Sequence, residues 1–172
     1  QHFLTGSGAK RTISVAWLRG FSEITSAEEV NRSRFEESLH NLAISMPSGT
    51  SRNLNDYWDR SLTGGITTEL YYASGTSTIT STGEFVLTKN GDNVTISGTV
   101  SHHWWDPYDW HANLSALIPG HGVISDADAL LLQRYRQASP FPMESDWTQT
   151  LSGTIEVINW FPDNVNLVWT GP

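Results

Sequence analysis

The chain has 172 residues, no cysteine, a formal net charge of −8 and lysine only at Lys10 and Lys89. Disulfide stapling, thiolate chemistry and cysteine-ligated zinc are therefore excluded. Between Arg60 and Arg134 the only cation is Lys89, so there is no basic stripe to meet a nucleic-acid backbone or an anionic membrane.

The length fits one domain, residues 1–172, able to bury a core without staples. No run reaches the roughly 18 apolar residues of a membrane span. The chain opens on Gln1 with nothing of signal-peptide character, so an excised C-terminal fragment or processed product is expected. Absence of cysteine leaves the redox compartment open and suits a protein that crosses compartments.

In chain order, Phe3-Leu4 before Gly6 and Gly8 reads as the tail of a helix with its glycine stop. Thr12 to Trp17 alternates, with Ile13, Val15 and Trp17 on one side, and predicts a short strand. Thr25-Ser26-Ala27-Glu28 has capping-box spacing ahead of Val30, Phe35, Leu39 and Leu42, which predicts a helix of about four turns ending before Pro47. Residues 48–65 read as irregular, anchored by Tyr57 and Trp58. Strands follow at 66–72, 76–81, 83–88 and 93–101, with Asn90-Gly91-Asp92 as a hairpin turn. Val94, Ile96 and Val100 share one side of the last strand and Thr95, Ser97 and Thr99 the other, so one face of the sheet is buried and one wet. A loop over 112–124 leads to Ser125, the predicted cap of a helix from Asp126 to about Gln137. Strands at 147–157 and 165–169 close the chain. The fold class expected is α+β: a twisted antiparallel sheet, open or half-barrel-like, with two or three helices.

Chemistry concentrates in residues 101–111, Ser-His-His-Trp-Trp-Asp-Pro-Tyr-Asp-Trp-His, where three histidines, two carboxylates and a phenol sit among three of the eight tryptophans. Strand parity puts His102 and Trp104 on the Val side and His103 and Trp105 on the Thr side, which makes His102 a hydrogen-bonded histidine at the core edge. Asp106 and Asp109, three apart across a turn, can point the same way and suit a hard divalent cation or an acid/base pair. Tyr108 can donate a proton or orient a phosphate oxygen, and His111 adds a base near neutral pH. Asp106-Pro107-Tyr108-Asp109 equally suits a plain type I turn. Trp104, Trp105 and Trp110 could stack on a sugar or an isoprenoid, or simply pin the loop, whereas Trp17 and Trp169 read as packing. His121, between two glycines, reads as a loop residue or a mobile base.

The motif resembles the activity domain of colicin M-like bacteriocins, which carry Asp-x-Tyr-Asp, five residues, then His-Arg. Asp106, Tyr108 and Asp109 match the first part position for position. The opening segment, from Gln1-His2-Phe3-Leu4 through Gly6-Ser7-Gly8-Ala9 to Val15, is similar to the segment that opens that domain. The resemblance covers about residues 1–18 and 76–110. It departs at Ser115-Ala116, where the family has His-Arg, and His111 or His121 is then the candidate for the histidine's place. The resemblance implies an antibacterial toxin domain, secreted or delivered into a target bacterium and acting in the periplasm on the peptidoglycan precursor lipid II. It implies cleavage between undecaprenyl and pyrophosphate with Mg2+, a monomer that meets the membrane only through its substrate, and an immunity partner. Carried onto this chain, Asp106, Tyr108, Asp109 and His111 would be catalytic. Asp106 and Asp109 would hold the cation, and His103, Trp104, Trp105 and Trp110 would bind the substrate. Two other readings stay open: a β-rich glycan-binding module using the tryptophans, and a toxin of this fold with another envelope target.

Overall fold

The computed structural model describes residues 7–63, 70, 76–107, 115–118, 122–135, 139–158 and 161–172. It is α+β, as expected: an open sheet of six strands with two helices longer than one turn. The elements are β1 (Arg11–Thr12), α1 (Val15–Leu18), α2 (Ser22–Ser45), β2 (Thr50–Thr63), β3 (Thr76–Asn90) and β4 (Asn93–Asp106). Then come β5 (Ser115–Ile118), β6 (Gly122–Ser125), α3 (Asp126–Arg134), β7 (Met143–Ile158) and β8 (Phe161–Thr170). The sheet order is β1-β7-β4-β3-β2, with β8 also paired to β7, while β5 and β6 form a separate hairpin. The sheet is mixed and not purely antiparallel, because β1 runs parallel to β7, Arg11 opposite Met143.

Residues group into two compact units. One comprises 1–23, 61–78 and 104–145; the other comprises 24–60, 79–103 and 146–172. The second holds the core cluster, in which Phe35, Leu39, Ala43 and Met46 meet Phe85, Leu87, Val94, Ile96, Val100, Leu151 and Ile155. The long strands obey a strict alternation: β4 buries Val94, Ile96, Val100, His102, Trp104 and Asp106 and exposes Thr95, Ser97, Thr99 and Ser101. The turn at 90–92 also forms as expected. Gly91 takes φ +62, a left-handed conformation that costs glycine nothing, and its N–H donates to Ser48 Oγ at 2.8 Å.

Four expectations need correction. The 12–17 alternation is not a strand: Ser14 Oγ accepts from Trp17 N–H and caps the single turn α1, leaving Trp17 37% exposed against the edge of Phe21. Helix α2 starts at Ser22, so the Thr25–Glu28 box lies inside it and Glu28 is buried. Residues 50–63 are a strand at the end of the sheet path; its half-buried residues alternate as Leu54, Asp56 and Trp58, too polar a pattern to recognise. The 112–124 loop contains the β5–β6 hairpin, Ser115 opposite Ser125.

Ser125 does cap α3. Its Oγ accepts from Asp128 N–H at 3.2 Å and donates to Asp128 Oδ2 at 2.6 Å, a reciprocal cap that stops the helix sliding. Lys89, buried on β3, donates from Nζ to Ala43 O at 3.0 Å, giving the last turn of α2 a cation and a donor. The predicted helix tail at 3–4 lies outside the described residues, as does the predicted strand at 66–72 except Leu70.

Candidate functional site

Strand β4 carries the dense segment, and the pleat sends its side chains in opposite directions. His102, Trp104 and Asp106 turn inward, each at most 1% exposed. His103 and Trp105 turn outward, with Trp105 37% exposed. Parity therefore holds through Asp106, past the strand end expected at 101, and Pro107 ends the strand.

Inside, His102 is the hub of a polar network. Gln149 Oε1 takes a hydrogen bond from Arg32 Nε at 3.0 Å and lies 3.0 Å from His102 Nε2. A carbonyl oxygen only accepts, so Nε2 carries a proton and donates to it. Ser81 Oγ lies 2.8 Å from Nδ1 and accepts from Asn31 Nδ2 at 2.8 Å. The imidazole stacks on Trp147, centroids 5.3 Å apart at 22°. One ring thus joins α2, β3, β4 and β7. Ser81 and His102 have the atoms of a nucleophile and base, but both are buried and the far nitrogen faces an amide, so the pair serves packing.

The partners of His102 were not found from the sequence, although a signal exists. Asn31 sits at core spacing between Ala27 and Phe35, and Gln149 takes an inward place between Trp147 and Leu151. Polar residues at buried positions on two elements announce a shared partner. Replacing His102 by leucine keeps the volume and takes a hydrogen-bond partner from both Ser81 and Gln149, so a loss of about 2–3 kcal/mol is expected in urea unfolding. A double-mutant cycle with Ser81→Ala should return a coupling of about 1 kcal/mol. Zero coupling would reduce the network to coincidence.

Outside, His103 Nδ1 lies 2.7 Å from Asp146 Oδ1 in an exposed pair. Because His103 and Asp106 leave opposite faces of β4, they do not converge. Trp104 is fully buried and donates from Nε1 to Ser77 Oγ at 2.9 Å, so the expected sugar-stacking role is corrected to a core role. Trp105 keeps an exposed face. Tyr108, Asp109, Trp110, His111 and His121 lie outside the described residues. Among the described residues no group of three or more histidines and acids is placed to hold a metal ion.

Two further tryptophans, Trp58 and Trp169, flank α2. Trp58 lies under the Arg34 guanidinium at 4.7 Å and donates to Asp56 Oδ2, which also accepts from Ser38 Oγ at 2.6 Å. Trp169 donates to Glu36 Oε1 at 2.7 Å, with the Arg32 guanidinium 5.4 Å from its ring. The packing expected of Trp169 holds.

A scan against protein-family models gives no match, and comparisons with curated proteins and with solved structures give none either.

Proposed function

We propose that this chain is an antibacterial toxin domain, a metal-assisted phosphodiesterase that cleaves lipid II or a similar lipid diphosphate in the periplasm. The observation that carries the reading is the Asp106-Pro107-Tyr108-Asp109 motif at the point where β4 ends. Asp106 ends a long paired strand, a rigid element on which a functional carboxylate can be held.

Carboxylate oxygens are the donors that Mg2+ takes, so Asp106 and Asp109 would be its protein ligands. When bound, the cation neutralises charge on the diphosphate, a task the sparse cations of this chain do not perform. Tyr108 orients a phosphoryl oxygen, and His111 moves a proton to the leaving oxygen or from water. Trp105 and Trp110 cover the lipid end. An immunity protein would be the natural antagonist.

The test is incubation of the chain with lipid II and Mg2+, with detection of released undecaprenol. Release is expected, and Asp109→Asn should lower its rate about a hundredfold while leaving the melting temperature unchanged. Absence of release from the wild type, with bacterial killing intact, would move the target elsewhere in the envelope.

A further inference from the structure

The turn at 90–92 carries a chemistry that the toxin reading does not use. Of the ten asparagines in the chain, Asn90 alone is followed by glycine; the others precede arginine, aspartate, tryptophan, leucine or valine. A following glycine matters to reactivity, because its backbone nitrogen can reach the asparagine side chain with no Cβ in the way. Asn90 and Gly91 are both exposed, and nothing lies within 4 Å of the position a Gly91 Cβ would take. Water and the Asn90 side chain both have access to the peptide.

The fold restrains the one nitrogen that could react. Gly91 N–H donates to Ser48 Oγ at 2.8 Å, and Ser48 lies in the segment between α2 and β2. That segment is fastened to the same hairpin on either side of Ser48. Gly49 N–H donates to Lys89 O at 2.8 Å, and Ser51 Oγ to Leu87 O at 3.1 Å. From β7, Val157 N–H donates to Asp92 O at 2.7 Å. The turn is gripped on both flanks, and the proton that a reaction at Gly91 N must remove is the one held by Ser48.

We propose that Asn90–Gly91 is a site of spontaneous deamidation, kept slow in the folded chain by the Ser48 hydroxyl. Gly91 N bonds to Asn90 Cγ and gives up its proton, the Cγ–Nδ2 bond breaks, and ammonia leaves with that proton. Water then opens the resulting succinimide at either carbonyl, giving aspartate or isoaspartate. Attack requires the nitrogen to come within about 3–3.5 Å of Cγ in the right orientation. Turning the peptide that way breaks the bond to Ser48, so the bond adds to the barrier. Isoaspartate inserts a methylene into the main chain at the tightest point of the β3–β4 hairpin and sets a negative charge beside Asp92. The product would no longer hold the α2–β2 segment through Ser48. This chemistry is independent of the Asp106 motif.

The experiment incubates the full 172-residue chain in mildly alkaline buffer and locates isoaspartate by peptide mapping with mass spectrometry. Isoaspartate is expected at Asn90 before any other asparagine. Ser48→Ala should form it about fivefold faster, the effect of one lost hydrogen bond on the barrier. Ser48→Thr keeps a hydroxyl and should react close to the wild-type rate. In concentrated urea, where Ser48 holds nothing, all three chains should react alike. Isoaspartate appearing first at another asparagine, equal native rates for wild type and Ser48→Ala, or a difference that persists in urea would overturn the proposal. Amide exchange that quickens throughout the core of Ser48→Ala would also overturn it, by tracing the faster reaction to global opening.

Discussion

Replacing Gly98 by alanine is expected to cost at least about 3 kcal/mol, read as a fall in the urea midpoint without a change in slope. The position lies in mid-strand on β4, where an added Cβ would meet Glu84 O and Phe85 Cδ1 at 2.4 Å and Phe85 Cα at 2.9 Å. Two of these are backbone atoms of β3 or the ring they position, so no side chain can swing aside to make room. Phe85 is itself packed against Phe35 of α2, ring centroids 5.6 Å apart, which blocks retreat on that side. Relief has to come from separating β3 from β4, at the expense of ladder hydrogen bonds. A loss under about 1 kcal/mol would mean that the hairpin is looser than these distances require.

Trp104→Ala should cost about 3–5 kcal/mol, because it removes the largest of the fully buried side chains and leaves Ser77 Oγ without its indole donor. Trp104→Phe separates the two contributions. It keeps most of the volume and should recover more than half of the loss, the remainder being the hydrogen bond to Ser77. Trp105→Ala, one residue on and facing outward, should change stability by less than about 1 kcal/mol. Equal effects at 104 and 105 would contradict the alternation of β4.

The contrast between these neighbours was legible in the sequence. Val94, Ile96 and Val100 set the inward parity, and a two-residue pleat carries it to 102, 104 and 106. The hairpin turn was legible for a similar reason, since Asn-Gly-Asp satisfies a local conformational demand that needs no distant partner. What could not be read depended on distant partners. Strand β2 carries Asn53, Asn55, Asp56 and Asp59, poor strand formers that adopt the conformation because β3 supplies the hydrogen bonds. The 12–17 alternation was real, yet a serine hydroxyl placed three residues before Trp17 N–H captured the segment for a helical turn. Thr25–Glu28 kept its capping-box spacing, but Ile24 and Ala27 are both buried and the helix extends past the box to Ser22. Of the candidate site, Asp106 and the fate of Trp104 are placed. The functional weight carried by Tyr108 and Asp109 rests on the motif, and that of His111 on its nearness to it in sequence.

One earlier feature bears on how the chain reaches this state. The short strand β1 gains its partner from β7, and Ile13 O accepts from Ser145 Oγ across 132 residues of sequence. During synthesis from the N-terminus, β1 must wait until β7 has emerged before its bonding edge is occupied. Such long-range closure slows folding, because chain entropy is lost before the contact forms. β1 is made before β7 and secured only after it, and until then it offers an open strand edge to any chaperone it meets.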